Sequence, residues 1–184
     1  MNNKWLAISY KLQSEPSKNR VYVWRKIKEM GAAYLQQGVA LLPYTEEFLQ
    51  ELQKLHREIT EMGGEASVTN LSFINEEDEK RIIDEFNRLR NEEYEEIAEQ
   101  CERLIYELDR ETQKGKFTFT EIEENEQELD KIHKWMDKVS ARDYFEASGK
   151  VNTENMIEQA TKRLHEYSEE VYQRDALKDH EGKI

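Results

Sequence analysis

Glycine and proline, the residues that most often interrupt helices and strands, are concentrated in the first part of this chain. Both prolines and four of the seven glycines lie before residue 75. Because these residues mark turns, we expect several short elements in the first 75 residues and long helices in the remainder.

The first half of this N-terminal region predicts one strand and one helix. Residues 5–12 alternate between two sides, which is the period of a half-buried strand. A helix is then predicted from Ser17, as its N-cap, to Met30, with Gly31 at its C-terminal end. Its predicted apolar stripe consists of Val21, Trp24 and Ile27.

The second half of the region completes a six-element pattern. Gln37-Gly38 predicts a turn between two short strands within residues 33–42. Thr45 opens the next helix, which Gly63-Gly64 ends, and residues 66–73 read as a final strand. The order βαββαβ is that of the ferredoxin-like fold. We therefore predict an α+β protein with a ferredoxin-like domain at residues 1–75.

From Asn75 onward the apolar period is helical throughout, with breaks at residues 114–119 and at Gly149. Three amphipathic helices joined by short loops favour an antiparallel helical bundle. We place this bundle at residues 76–176 and predict a frayed tail at 177–184.

Composition restricts the class of protein. Hydrophobic residues make up 37% of the chain and charged residues 36%, and the net charge is −13. The single cysteine, Cys101, cannot form an intrachain disulfide, which favours a reducing, cytoplasmic compartment. No apolar run is long enough for a membrane-spanning helix or a secretory signal, so we expect no membrane partner.

Positive charge is clustered at the N-terminal end of the chain. Residues 1–44 contain seven Lys/Arg and two acidic residues, a net charge of +5, whereas the remaining residues carry −18. Such asymmetry bears on binding partners rather than on the fold.

Three segments resemble the N-terminal region of ChrB-type chromate-resistance proteins. The most specific is YKLQSEPSKNRVYVWRKIKEMGAAYLQQGVALLP, at residues 10–43. The others are RNEEYEEIAEQCERLIYEL, at residues 90–108, and ARDYF, at residues 141–145. The strand–helix–hairpin layout is also similar to that of phenylacetate-type repressors and of the small CRISPR-associated nucleases. The resemblance implies a regulatory or accessory role in chromate resistance, usually control of transcription.

One candidate site is a basic helix face. Lys18, Tyr22 and Arg25 fall on one line of the predicted helix, with Lys26 beside them, opposite the Val21/Trp24 stripe. Cations with an interleaved tyrosine suit contacts to the phosphates, sugars and bases of promoter DNA. The alternative interpretation is a solvated helix face without a ligand.

A second candidate is an oxyanion pocket at the start of the same helix. Chromate is a tetrahedral dianion, and helix N-termini with Arg or Lys commonly hold such ions. Ser17, Lys18 and Arg20 would supply this site, joined by Arg142 from the bundle. Alternatively, Ser17 only caps the helix and Arg142 pairs with a neighbouring acid such as Asp143.

Catalytic and metal sites find no support in the sequence. The CRISPR-associated nucleases carry an acidic metal ligand near the end of the first strand, where this chain has Ser9, Tyr10 and Lys11. The histidines stand without the spacing of a metal site, and Cys101 lies on an apolar stripe. We therefore predict no enzyme, no cofactor and no metal.

These observations favour a non-enzymatic regulator or accessory protein of chromate resistance, which forms a homodimer through its strand edges. Two alternatives stay open. One is a structural dimerisation module, and the other is a small-oxyanion-binding protein without a nucleic acid partner.

Overall fold

A computed structural model describes residues 4–181 of the chain. The elements are β1 (Trp5–Lys11), α1 (Ser17–Glu29), β2 (Ala33–Gln36), β3 (Val39–Pro43), α2 (Glu46–Glu61), β4 (Glu65–Leu71), α3 (Glu76–Gln113), α4 (Phe119–Ser140) and α5 (Gly149–Glu181). The chain divides into two compact units. The first comprises the residues up to Leu89 together with Arg142–Glu146, and the second comprises Arg90–Ala141 and the residues from Ala147 onward.

The first unit has the predicted ferredoxin-like fold. Its four strands form one sheet in the order β2-β3-β1-β4, and every neighbouring pair is antiparallel. In the centre, Trp5 of β1 stands opposite Pro43 of β3 on one side and Leu71 of β4 on the other. This arrangement is the split βαβ topology, so the α+β fold class is confirmed.

The sheet is covered on both faces near the start of β1. Leu6 and Ile8 are buried against α1 and α2, and the alternate residue Trp5 is buried against Phe86 of α3. The Trp5 and Phe86 rings stack with their centroids 5.8 Å apart, and the Trp5 indole N–H donates to Glu79 at 3.0 Å. Here β1 is therefore fully buried, not half-buried as predicted.

The start of α3 thus belongs to the first unit. Ile82 and Phe86 complete the core on the second face of the sheet. The division between the two units lies within α3, after Leu89.

Helix α1 buries a different face from the one predicted. Val23 and Ile27 are fully buried, whereas Val21 and Trp24 are 47% and 50% exposed. The predicted Val21/Trp24 stripe is wrong because two apolar lines lead to Ile27. One runs in steps of three from Val21 through Trp24, the other is a single step of four from Val23, and only packing on the sheet selects Val23.

The predicted cap at Ser17 is also wrong. Ser17 is the first helical residue, and Pro16 occupies the N-cap position without a side-chain hydrogen bond. In contrast, the predicted cap of α2 is confirmed, since Thr45 Oγ1 accepts from the amide of Phe48 at 3.0 Å.

The second unit is a three-helix bundle formed by the C-terminal part of α3, α4 and α5. Tyr94 near the start of this part of α3 accepts from Thr153, and Asp109 farther along pairs with Arg163. Helices α3 and α5 therefore run parallel, and α4 returns between them through short connections. The core includes Tyr94, Ile97, Cys101, Leu104, Ile132, Val139, Ala160, Leu164 and Tyr167.

Helix α5 is longer than predicted. It continues to Glu181, so residues 177–181 of the predicted frayed tail have helical backbone. The rest of that tail, residues 182–184, lies outside the described residues.

Candidate nucleic-acid interface

The solvent face of α1 carries a group of cations around an exposed indole ring. With 3.6 residues per turn, positions 21, 24, 25 and 28 share one side of the helix, and positions 18 and 20 flank them. We call this surface the α1 basic face: Lys18, Arg20, Val21, Trp24, Arg25 and Lys28. It lies opposite the buried Val23 and Ile27.

Trp24 is the centre of the α1 basic face. Its ring is half exposed, and the Lys28 ammonium lies 5.3 Å from the ring centroid, one helical turn further on. This distance is within the range of a cation–π interaction. The surface therefore combines positive charge with a flat aromatic ring.

The cations of this face are free to meet an external anion. Among residues 4–177, whose side chains the structure describes, no ion pair is formed by Lys18, Arg20, Arg25 or Lys28. Lys26 on the same helix differs, since its ammonium pairs with Glu29 at 3.3 Å. This contact raises the pKa of Lys26, because the Glu29 carboxylate accepts its hydrogen bond and favours the charged form.

The four residues predicted to bind nucleic acid fall on two sides of α1. Lys18 and Arg25 lie on the α1 basic face, whereas Tyr22 and Lys26 turn toward α2. The Tyr22 hydroxyl donates to the Glu58 carboxylate of α2 at 3.0 Å. This hydrogen bond raises the pKa of Tyr22, because ionisation would remove the donated proton beside a carboxylate.

Sequence reasoning missed Trp24 and Lys28 as members of the surface. The sequence pattern places Trp24 in the buried stripe and gives Lys28 no role in a site. The available signal was the i, i+4 spacing of Arg20, Trp24 and Lys28, which places a cation one turn on either side of the indole.

The four residues predicted to bind an oxyanion are not brought together. Ser17, Lys18 and Arg20 lie at the start of α1, whereas Arg142 donates from Nη1 to the carbonyl oxygen of Lys28 at 3.1 Å. Ser17 and Lys28 are eleven residues apart on one helix, which corresponds to roughly 16 Å. Arg142 instead stabilises the C-terminal end of α1, where a cation is favoured.

The sulfur chemistry of the chain is also restricted by its location. Cys101 is fully buried in the bundle core, and burial raises the pKa of its thiol to about 11. Among the side chains that the structure describes, at residues 4–177, no three His, Cys, Asp or Glu are grouped to hold a metal ion. The same described part of the chain has no helix that is both long and apolar enough to cross a membrane.

A comparison with known protein families finds a family that matches this chain. The family described as "Protein ChrB, N-terminal" matches residues 20–178, which is most of the 184 residues. The chain belongs to this family. Membership confirms the resemblance found in the sequence and makes this ChrB-family chain a protein associated with chromate resistance.

The family match includes most of the described site. Its range covers the α1 basic face from Arg20 to Lys28 and the segment around Arg142, while Lys18 lies just before it. Neither the curated proteins nor the solved structures contain a match to this ChrB-family chain.

Proposed function

We propose that this ChrB-family chain is a non-enzymatic regulatory or accessory protein of chromate resistance that acts in transcriptional control by binding promoter DNA. The α1 basic face is the proposed contact surface. The observation that supports it is the set of unpaired cations around the half-exposed ring of Trp24.

The chemistry of this face suits a nucleic acid backbone. Lys and Arg side chains neutralise phosphates and release the bound counterions, which supplies sequence-independent affinity. An exposed indole adds a flat apolar surface for a sugar or a base. Lys18 and Lys28 bound the face and are ten residues apart on α1, so the face extends for roughly 15 Å and can reach successive phosphates.

Negative charge on the rest of the protein limits the directions from which DNA can approach. The chain has a net charge of −13 although its first 44 residues carry +5, so DNA is repelled from most of the protein. We therefore expect one orientation of approach, with α1 toward the duplex, and a strong dependence of the affinity on salt.

The proposed role involves binding rather than catalysis. The α1 basic face presents ammonium, guanidinium and indole groups, which hold an anion and stack on a ring. Proton transfer or nucleophilic attack at neutral pH would need a group whose pKa is tuned to that task. We therefore propose that this protein positions itself on DNA and does not cleave it.

The test is DNA binding by variants of α1. Arg25→Ala/Lys28→Ala should weaken binding similarly for all sequences, and the salt slope should become shallower by roughly two units. The matched control is Arg25→Ala/Lys26→Ala, which replaces one residue of the α1 basic face and one cation paired with Glu29. It should lose about half as much slope.

The two double variants also separate two surfaces. A larger loss for Arg25→Ala/Lys26→Ala than for Arg25→Ala/Lys28→Ala would favour the Lys18/Tyr22/Arg25/Lys26 line predicted from the sequence over the α1 basic face. Unchanged affinity in both, with circular dichroism showing intact folds, would eliminate α1 as the DNA contact.

A further inference from the structure

Strand β4 forms one outer edge of the sheet in the first unit. In the described part of the chain, no strand lies beyond it in the order β2-β3-β1-β4. It has seven residues, whereas the opposite edge strand, β2, has four. An unpaired edge presents a row of N–H and C=O groups that can bind another strand.

The hydrogen bonds of β1 show which main-chain groups of β4 are free. The Tyr44 amide donates to the carbonyl oxygen of Lys4 at 2.9 Å, and the Tyr10 amide donates to that of Gly38 at 2.8 Å. Even-numbered positions along β1 therefore bond toward β3. Because bonding directions alternate along an antiparallel strand, the odd-numbered residues of β1 bond toward β4.

The partners on β4 follow from its register with β1. Ala7 stands opposite Thr69, and Ser9 stands opposite Ser67, so the odd-numbered residues of β4 bond inward. The even-numbered residues of β4 consequently direct their N–H and C=O groups away from the sheet. They are Ala66, Val68 and Asn70.

This edge has few of the features that usually prevent strand pairing. The one charged residue of β4 is Glu65 at its first position, the strand contains no proline, and β4 pairs with β1 in one unbroken register. The other edge is protected, because β2 is short and its register shifts between Tyr34 and Gln36. Short length, irregularity and charge are the common protections of an edge strand.

We propose that β4 pairs with β4 of a second copy of this chain, antiparallel and centred on Val68, to join the two sheets into one. Val68 then lies opposite its symmetry mate, and Ala66 lies opposite Asn70. These three pairs use the outward-facing main-chain groups of both copies, and each pair exchanges two hydrogen bonds.

The flank of α2 beside this edge supports a second copy as the partner. A groove of about 290 Å³ lies next to Val68 and is lined by Leu49, Gln53, His56 and Arg57 of α2. A two-fold axis at Val68 brings the two α2 helices side by side in opposite directions. Arg57, which lines this flank, lies three turns after Glu46 on the same side of α2 and therefore points toward Glu46 of the antiparallel partner helix. Each copy can thus form one Arg57–Glu46 contact across the axis, which favours a second copy as the partner.

This dimer leaves the α1 basic face accessible and does not depend on DNA binding. Helix α2 packs on β1 and β4, next to the proposed interface, whereas α1 lies on the other side of α2. The two α1 helices consequently stand at the outer sides of the joined sheet.

The test compares three variants with the unchanged chain by sedimentation equilibrium at micromolar concentration. Val68→Pro removes an outward-facing amide at the centre of the interface and leaves the ladder to β1 intact. Asn70→Lys and Gln36→Lys are a matched pair, since each adds the same charge at an exposed position on one of the two sheet edges.

We expect the unchanged chain to sediment at twice its monomer mass of 22.0 kDa. Val68→Pro should raise the dissociation constant at least about tenfold, Asn70→Lys should raise it by less, and Gln36→Lys should leave it unchanged. A monomeric unchanged chain, or a folded Val68→Pro variant that stays dimeric, would overturn the proposal. If Val68→Pro does not fold, equal effects of Asn70→Lys and Gln36→Lys would overturn it, and a selective effect of Asn70→Lys would support it.

Discussion

Tyr144 donates its hydroxyl proton to the main-chain oxygen of Met30 at 2.6 Å, although 114 residues separate the two along the chain. The contact lies at the C-terminal end of α1, where the last carbonyl groups have no partner within the helix. Arg142 donates to the neighbouring carbonyl of Lys28, and the Phe145 ring packs 5.6 Å from that of Trp5. The ARDYF segment thus completes the ferredoxin-like unit from a distant part of the sequence.

Removing the hydroxyl of Tyr144 tests how much its hydrogen bond to Met30 stabilises the fold. Tyr144→Phe keeps the ring contacts with Phe48 and Phe86 but leaves the Met30 carbonyl without this donor. We expect the free energy of unfolding to fall by about 1–2 kcal/mol, measured by urea denaturation. Tyr106→Phe is the control, because Tyr106 is 69% exposed and its change should cost less than about 0.5 kcal/mol. Equal losses would contradict this assignment.

The fold was predictable because its local signals agree with one another. The turn at Gly38, the cap at Thr45 and the end of α2 at Gly63 separate elements whose periods differ between strand and helix. These features determine the βαββαβ order, and that order has few compatible topologies.

The contacts that complete the first unit could not be predicted in this way. Neither the Tyr144–Met30 hydrogen bond nor the packing of Phe86 on Trp5 produces a periodic pattern. The predicted orientation of α1 was wrong for a related reason. Val21 and Val23 are equally apolar, and only tertiary packing distinguishes them. The centre of the candidate interface, Trp24, was therefore assigned to the core.

The orientation of α1 leads to a prediction with two valines. Val23→Ala removes two buried methyl groups and should destabilise the protein by about 2 kcal/mol. Val21→Ala makes the same chemical change at a half-exposed position and should cost less than about 0.5 kcal/mol. Thermal or urea unfolding of both variants measures the difference. The reverse order of the two losses would mean that α1 buries the face predicted from the sequence.

The carboxylate of Glu111, in the second unit, should make the stability of the protein depend on pH. Glu111 is 4% exposed and accepts hydrogen bonds from Lys114 and Arg110, while Lys116 lies 3.6 Å away. The hydrogen bond from Lys114, with the other nearby cations, lowers the pKa of Glu111 from its ordinary value of 4.5. The charged form is therefore favoured in the folded state.

Because proton binding and folding are linked, the lowered pKa of Glu111 determines how stability changes with pH. A lowered folded-state pKa contributes stability above pH 4.5, and that contribution is lost as the pH falls through the folded-state pKa. We expect Glu111→Gln to be less stable at pH 7 and to lose less stability on acidification than the unchanged chain. Urea unfolding at pH 7 and at several values below pH 4.5 measures both effects.

The matched control for Glu111 is a neighbouring exposed acid. Glu107 pairs only loosely with Arg110, at 3.6 Å, and its side chain is 52% exposed. Because exposed ion pairs contribute little, Glu107→Gln should leave the acid limb of the stability curve almost unchanged. Identical curves for the Glu111 and Glu107 variants would show that the buried network does not hold its charge as described.

Chromate binding by this chain is expected to be weak and to be competed by sulfate. Both ions are tetrahedral dianions, so cations at the start of α1, such as Lys18 and Arg20, attract them almost equally. Selection for chromate would need redox chemistry at a thiol. Cys101 is buried with a thiol pKa of about 11, so roughly one in ten thousand is ionised at pH 7.

Calorimetry with and without sulfate, on the unchanged chain and on Cys101→Ser, tests this expectation. The chromate signal should shrink as sulfate is added and should survive the loss of the thiol, provided that circular dichroism shows Cys101→Ser to be folded. In the native chain a disulfide reagent should react with Cys101 far more slowly than after unfolding in guanidinium, because only opening of the bundle exposes the sulfur. Tight chromate binding that sulfate cannot displace would contradict the prediction, since charge and shape alone cannot separate the two ions.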